Sequence, residues 1–234
     1  MWFRGGAFAN ESLVTSGNPG LILSESCRMG KMPLAMEGWR MGIFRRLGVT
    51  AKQVEQLVQA VPRLRGVLIG YLAEGKLVNR WFKYYEPSRP DDHDRTMKWD
   101  RLITYKRHKV SIEVKSLQTN SVRETAPGQY KGRFQCDASD SRPVVLPDGS
   151  TVKTVCLVVG GFDLLAINLF EFGQQWHFAF VKNSDLPRTR SNKYTPNQQQ
   201  HLLQTTPPIT WPLQPPYRDE PFSLLDEIID SRAH

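Results

Sequence analysis

A chain of 234 residues, 40% apolar and 23% charged, is long enough to bury one substantial α/β core with appendages, or two small ones. Its three cysteines, Cys27, Cys136 and Cys156, have no paired spacing, which argues against a disulfide framework or a zinc site. With no apolar run near the roughly 20 residues of a bilayer span, and no apolar signal-peptide core, a reducing, cytoplasmic setting without a membrane partner is expected.

The net charge of +8 is unevenly placed: between Pro62 and Arg133, sixteen Lys or Arg stand against eight Asp or Glu. Such a stretch suits a polyanion, and it equally suits a solubilising surface.

Residues 1–38 scatter Gly, Ser, Asn and Pro without a sustained period and are expected to be loosely ordered, with one short strand at Leu21-Ile22-Leu23. A folded domain is expected over 39–204, followed by a proline-rich arm and a short helix over 205–234. Thr50-Ala51-Lys52-Gln53 has the form of a capping box and opens a helix with Val54, Leu57, Val58 and Val61 at helical spacing. Pro62 interrupts it and suits the first turn of a second helix reaching Trp81. Leu64, Val67, Leu68, Tyr71, Val78 and Trp81 form an apolar stripe there, and Glu74 falls on it. A carboxylate on an apolar face is costly unless it is paired or ligates a metal. It is either at the stripe's edge, paired with Arg65 or Lys76, or turned towards a site.

Phe82-Lys83-Tyr84-Tyr85 then reads as a first core strand, and Pro87 to Thr96, with three aspartates and His93, as a solvated loop. Trp99 to Tyr105 and Lys109 to Lys115 read as the two strands of a hairpin around Lys106-Arg107-His108. Val110, Ile112 and Val114 alternate with Ser111, Glu113 and Lys115, so Glu113 and Lys115 share a face. Asp100 on the partner strand can join them, and two carboxylates beside an ammonium suit a hard cation bound for phosphoester hydrolysis.

Further on, Phe134 to Cys136 and Val144 to Leu146 read as short strands, with a turn at Pro147-Asp148-Gly149. Val152 to Val159, Phe162 to Phe170 and Trp176 to Val181 follow as longer ones. Thr195-Pro196 caps a short helix through Leu203. Thr205 to Pro221 holds six prolines and reads as a linker or an arm lying on the body, and Ser223 to Ser231 as an amphipathic helix that must dock on its own domain or on another subunit.

Asp100 followed by Glu113-Val114-Lys115 resembles the PD-(D/E)xK nuclease superfamily, although Trp99 replaces the proline that names the pattern. Arg65-Gly66 and Gly70-Tyr71-Leu72-Ala73-Glu74 look like the helix that carries a glutamate towards the metal in that superfamily. Phe162 to Ile167, Trp176 to Val181 and Ser184-Asp185-Leu186-Pro187 are similar to the branch of group I intron homing endonucleases.

The resemblance implies an α/β, restriction-endonuclease-like fold, a mixed β-sheet flanked by helices. It implies a Mg²⁺-dependent DNA endonuclease, with Mn²⁺ as an alternative ion. Asp100, Glu113, Glu74 and the Val114 carbonyl would be the ligands, and Lys115 would orient the attacking water. Arg101, Lys106, Arg107, Lys109 and Arg123 would contact DNA, and a homodimer or homotetramer would match a symmetric duplex. A DNA-binding module of the same fold that does not cut, and an interaction scaffold with a structural hairpin, stay open beside it.

Overall fold

The computed structural model describes residues 42–89 and 99–232 and falls into two units, divided after Val54. In the first unit a single-turn helix, α1 (Ile43–Arg46), precedes the Thr50 cap. The Gln53 amide donates to Thr50 Oγ1 at 3.2 Å and the Thr50 amide donates to Gln53 Oε1 at 2.8 Å, the reciprocal pair of a capping box. That cap opens α2 (Ala51–Ala60), which runs on into the second unit. The short strand expected at Leu21-Ile22-Leu23 lies outside the described residues.

In the second unit α3 (Pro62–Leu77) begins on its proline and continues into a π-helical turn, Val78–Phe82. The stripe read from the sequence is displaced: α3 buries Ala73, Glu74 and Leu77, while Leu64, Val67, Leu68 and Tyr71 stay exposed. Only the C-terminal half of the helix meets a sheet. The strand expected at Phe82–Tyr85 is likewise the end of this helix and a turn. Phe82 is buried all the same, because it and the half-buried Trp81 pack edge-on against Phe180, with centroids 6.5 and 5.7 Å away, while Tyr84 stays exposed.

The central sheet has four strands in the order β1-β2-β7-β8: β1 (Arg101–Tyr105), β2 (His108–Ser116), β7 (Leu164–Asn168) and β8 (Phe178–Lys182). The β2–β7 pair is parallel and the other two pairs are antiparallel, so the sheet is mixed. Both of its faces are covered, which accounts for the all-apolar run Leu164-Leu165-Ala166-Ile167. Ile103, Val110, Ile112, Leu164, Ala166 and Phe180 pack against α3 and a last helix, α5 (Phe222–Asp230). Leu165, Ile167, Ala179 and Val181 point the other way, into a second core with Phe134, Cys136 and Phe172.

Two small sheets complete the fold. One is β3-β4-β9, built from β3 (Arg123–Ala126), β4 (Gln129–Arg133) and β9 (Pro208–Trp211). The other is the hairpin of β5 (Asp137–Val145) and β6 (Thr151–Cys156). The expected proline-rich arm thus supplies a strand, and α4 (Pro196–His201), shorter than the helix expected through Leu203, is capped at Thr195 as expected, with Gln198 completing a capping box. The chain is a mixed α/β protein with sheets flanked by helices. Among the described residues no helix is long and apolar enough to cross a membrane.

Candidate active site

The β1–β2 register pairs Arg101 with Ile112, which places Asp100 opposite Glu113 one step further along. Asp100 lies in a bend just before β1; its amide donates to the Ile112 carbonyl at 3.1 Å and its Oδ2 accepts the Val114 amide at 2.7 Å. That bond fixes the Asp100 carboxylate against β2 between Glu113 and Lys115. Strand alternation sends Ile112 and Val114 into the helix-side core and Glu113 and Lys115 to the opposite face. There Lys115 Nζ pairs with Glu113 Oε1 at 2.7 Å.

Glu113 is only 6% exposed. Burial pushes its carboxyl up to about 7, Lys115 opposes that rise, and Asp100 adds to it. Burial opposes the charge on Lys115, yet Glu113 beside it raises the ammonium overall. Two further groups lie within electrostatic reach: Arg142 on β5, which lowers Glu113, and the buried Cys136 thiol, which burial pushes up to about 12. Neither was singled out from the sequence. The one signal available was a cation in the polar run Asp137 to Arg142, which has no apolar alternation to mark it as a strand.

Glu74 lies on the helix side of the sheet. It is 8% exposed and pairs with Arg101 at 2.9 Å and Arg89 at 3.3 Å. Arg101 shares a face with Ile112, opposite to that of Glu113. The pairing with Arg65 or Lys76 considered from the sequence is therefore replaced by pairing with two other arginines.

The other expected contact residues are spread along the hairpin. Lys106 and Arg107 form its two-residue turn, six residues or about 20 Å along the hairpin from Asp100 and Glu113. Lys106 pairs with Asp226 at 2.6 Å, and Lys109 donates to Thr104 Oγ1 at 2.7 Å. Arg123 lies exposed on β3. His177 sits just before β8, with Nε2 3.0 Å from Gln175 Oε1. His93 and its neighbouring aspartates lie outside the described residues.

The Asp100 and Glu113 carboxylates and the Val114 carbonyl make an all-oxygen donor set, which suits Mg²⁺ or Mn²⁺. Glu113 is buried opposite a second carboxylate, and a cation there relieves that repulsion, so the residues fit the ion. Among the described residues no three His, Cys, Asp or Glu side chains converge. Mg²⁺ held by one or two carboxylates and its own waters requires no such cluster.

No family model matches the chain, and no curated protein matches it. Among solved structures, the chain is similar to a bacterial homing endonuclease, I-Ssp6803I, at 16% identity and a TM-score of 0.33, over 58% of this chain and 86% of that one. A likeness at that level leaves fold and function to rest on the chain's own residues.

Proposed function

We propose that this protein is a metal-dependent DNA endonuclease that hydrolyses phosphodiester bonds, with its active site at the open end of the β1–β2 hairpin. The observation that carries this reading is the convergence of Asp100, Glu113 and Lys115 on one buried face, where two carboxylates oppose each other and the ammonium touches one of them. A bound Mg²⁺ or Mn²⁺ supplies Lewis-acid stabilisation of the charge that develops on the scissile phosphate. Asp100 and Glu113, with the Val114 carbonyl, hold that ion. Lys115 stays charged beside Glu113, orients the attacking water and offsets phosphate charge. Arg142 supplies a second cation on the phosphate side. Glu74 bridges Arg89 and Arg101 beneath the site, a role that calls for no second metal.

Cutting both strands of a duplex calls for two copies of the site, so a homodimer or homotetramer is the assembly that goes with this activity. The test is hydrolysis of supercoiled plasmid and of a branched synthetic duplex in Mg²⁺, by wild type, Asp100→Asn and Lys115→Ala. Wild-type cutting that falls at least 100-fold in both variants supports the reading. A purified wild type that binds these DNAs and cuts neither moves the reading to a DNA-binding module in which Glu113–Lys115 is only a structural ion pair.

A further inference from the structure

The β3-β4-β9 sheet turns one face to the protein and one to solvent. On β4, Tyr130 stacks on Phe172 with centroids 5.5 Å apart, and a Cβ at Gly132 would come within 3.1 Å of the same ring. Lys131 and Arg133 therefore point outward, and Thr210 on β9 lies beside Lys131. Arg123 on β3 stands directly opposite Lys131. Like charges directly opposite each other in a sheet are destabilising. Among the described residues no carboxylate pairs with Arg123, Lys131 or Arg133 to offset that cost.

Arg133, Pro208 and Thr210 also form one wall of an open cleft of about 1180 Å³. This exceeds the roughly 300–1,000 Å³ of a small-molecule pocket. Its other lining includes Arg188, Arg190, Gln199 and Gln200. Arg133 and Arg188 are held by backbone carbonyls, Arg133 by Thr206 at 2.8 Å and Arg188 by Leu186 and Ser184, so each is fixed in place with its charge uncompensated. Asp185, the carboxylate in this lining, is paired with Lys182 at 3.4 Å.

We infer that this sheet face and the cleft beside it bind the flank of duplex DNA next to the cleavage site; the inference rests on the endonuclease reading for its substrate class. An antiparallel ribbon fits the major groove. Arg123, Lys131 and Arg133 take phosphates, while the exposed Gln200 presents an amide of the kind that binds base edges. The surface also leads to the site. Two residues beyond Arg133, the Gln135 amide bonds the carbonyl of Ser116, the neighbour of Lys115, at 3.2 Å. That path is about 12 Å of strand rise plus interstrand spacing, or three to four base-pair steps.

The test measures binding of the full chain to a labelled 40-base-pair duplex in EDTA, with the same length of single-stranded RNA as competitor. The variants are Arg123→Gln/Lys131→Gln, Arg190→Gln/Gln200→Ala and, as exposed lysines of α3 and the turn after it, Lys76→Gln/Lys83→Gln. The expected result is about tenfold or greater weakening by the first pair, with the log–log salt slope shallower by about 2. The second pair also weakens binding, the Lys76/Lys83 pair leaves it unchanged, and the first pair melts no lower than wild type because a like-charge contact is relieved. Wild-type affinity in the first two pairs, a preference for RNA, or no duplex binding by wild type overturns the inference. A wild type that binds through this face and cuts nothing in Mg²⁺ overturns the endonuclease reading alone.

Discussion

Glu113 carries most of the tension in the site, and its protonation gives a direct handle on it. Its folded-state carboxyl is raised from 4.5 to about 7 by burial. Between those two values the folded chain holds the proton more tightly than the unfolded chain. The contribution is therefore fully present below about 4.5 and is lost as pH rises through about 7. In metal-free protein, the difference in urea stability between wild type and Glu113→Gln should drift against wild type by up to about 3 kcal/mol from pH 4.5 to pH 8. A difference that is flat with pH contradicts this. The site was legible in sequence at this scale because strand alternation alone puts Glu113 and Lys115 on one face. Arg142 was not legible, since the irregular pairing between Asp137 and Arg142 hides its register.

Among the elements, α3 shows where periodicity misleads. An amphipathic pattern fixes which residues share a stripe, and it does not say which stripe meets the sheet. Gly66, Gly70 and Gly75 lie within α3, and a Cβ at any of them meets nothing within 4 Å. Each Gly→Ala change should raise stability by about 0.5–1 kcal/mol, measured by denaturant midpoint, with no loss of sheet packing. Gly132→Ala should lower it, because the new methyl meets Phe172. The hairpin turn is tight for another reason. Lys106 and Arg107 hold φ values of 47° and 69°, a region that costs non-glycine residues about 1–2 kcal/mol each. Arg107→Gly should therefore be neutral to stabilising in the same assay, whereas Arg107→Val should destabilise. Both helix caps, at Thr50 and Thr195, could be read from sequence, because a cap is a contact within four residues.

For the whole molecule, the C-terminal segment closes the fold over the hairpin. On α5, Asp226 receives the Tyr105 hydroxyl at 3.0 Å and Lys106 at 2.6 Å, and Glu227 joins Lys182 and Arg218, each at 2.6 Å. Beyond the helix, Arg232 reaches Asp163, whose Oδ2 accepts the Ser111 amide and hydroxyl, each at 2.7 Å. Those exposed ion pairs contribute little individually; the buried face of Leu224, Leu225 and Ile228 matters more. Leu225→Ala should cost about 2–5 kcal/mol in urea unfolding, and Glu227→Gln less than about 1. The amphipathic helix could be read from its pattern. Its docking surface could not, because the partners Tyr105, Lys106 and Lys182 lie between 45 and 121 residues away in sequence. The arm's strand was hidden for the same reason: β9 is defined by pairing with β4, and four residues beginning in proline announce no strand by themselves.

The central claim, that Asp100 and Glu113 form a divalent-metal site, is tested most directly by melting the protein at pH 8 across a Mg²⁺ titration. Binding to the folded state alone should raise the melting temperature continuously with ion concentration. Wild type should show that rise, and Asp100→Asn and Glu113→Gln should lose it. An equal rise in all three, or none in wild type, would contradict the claim.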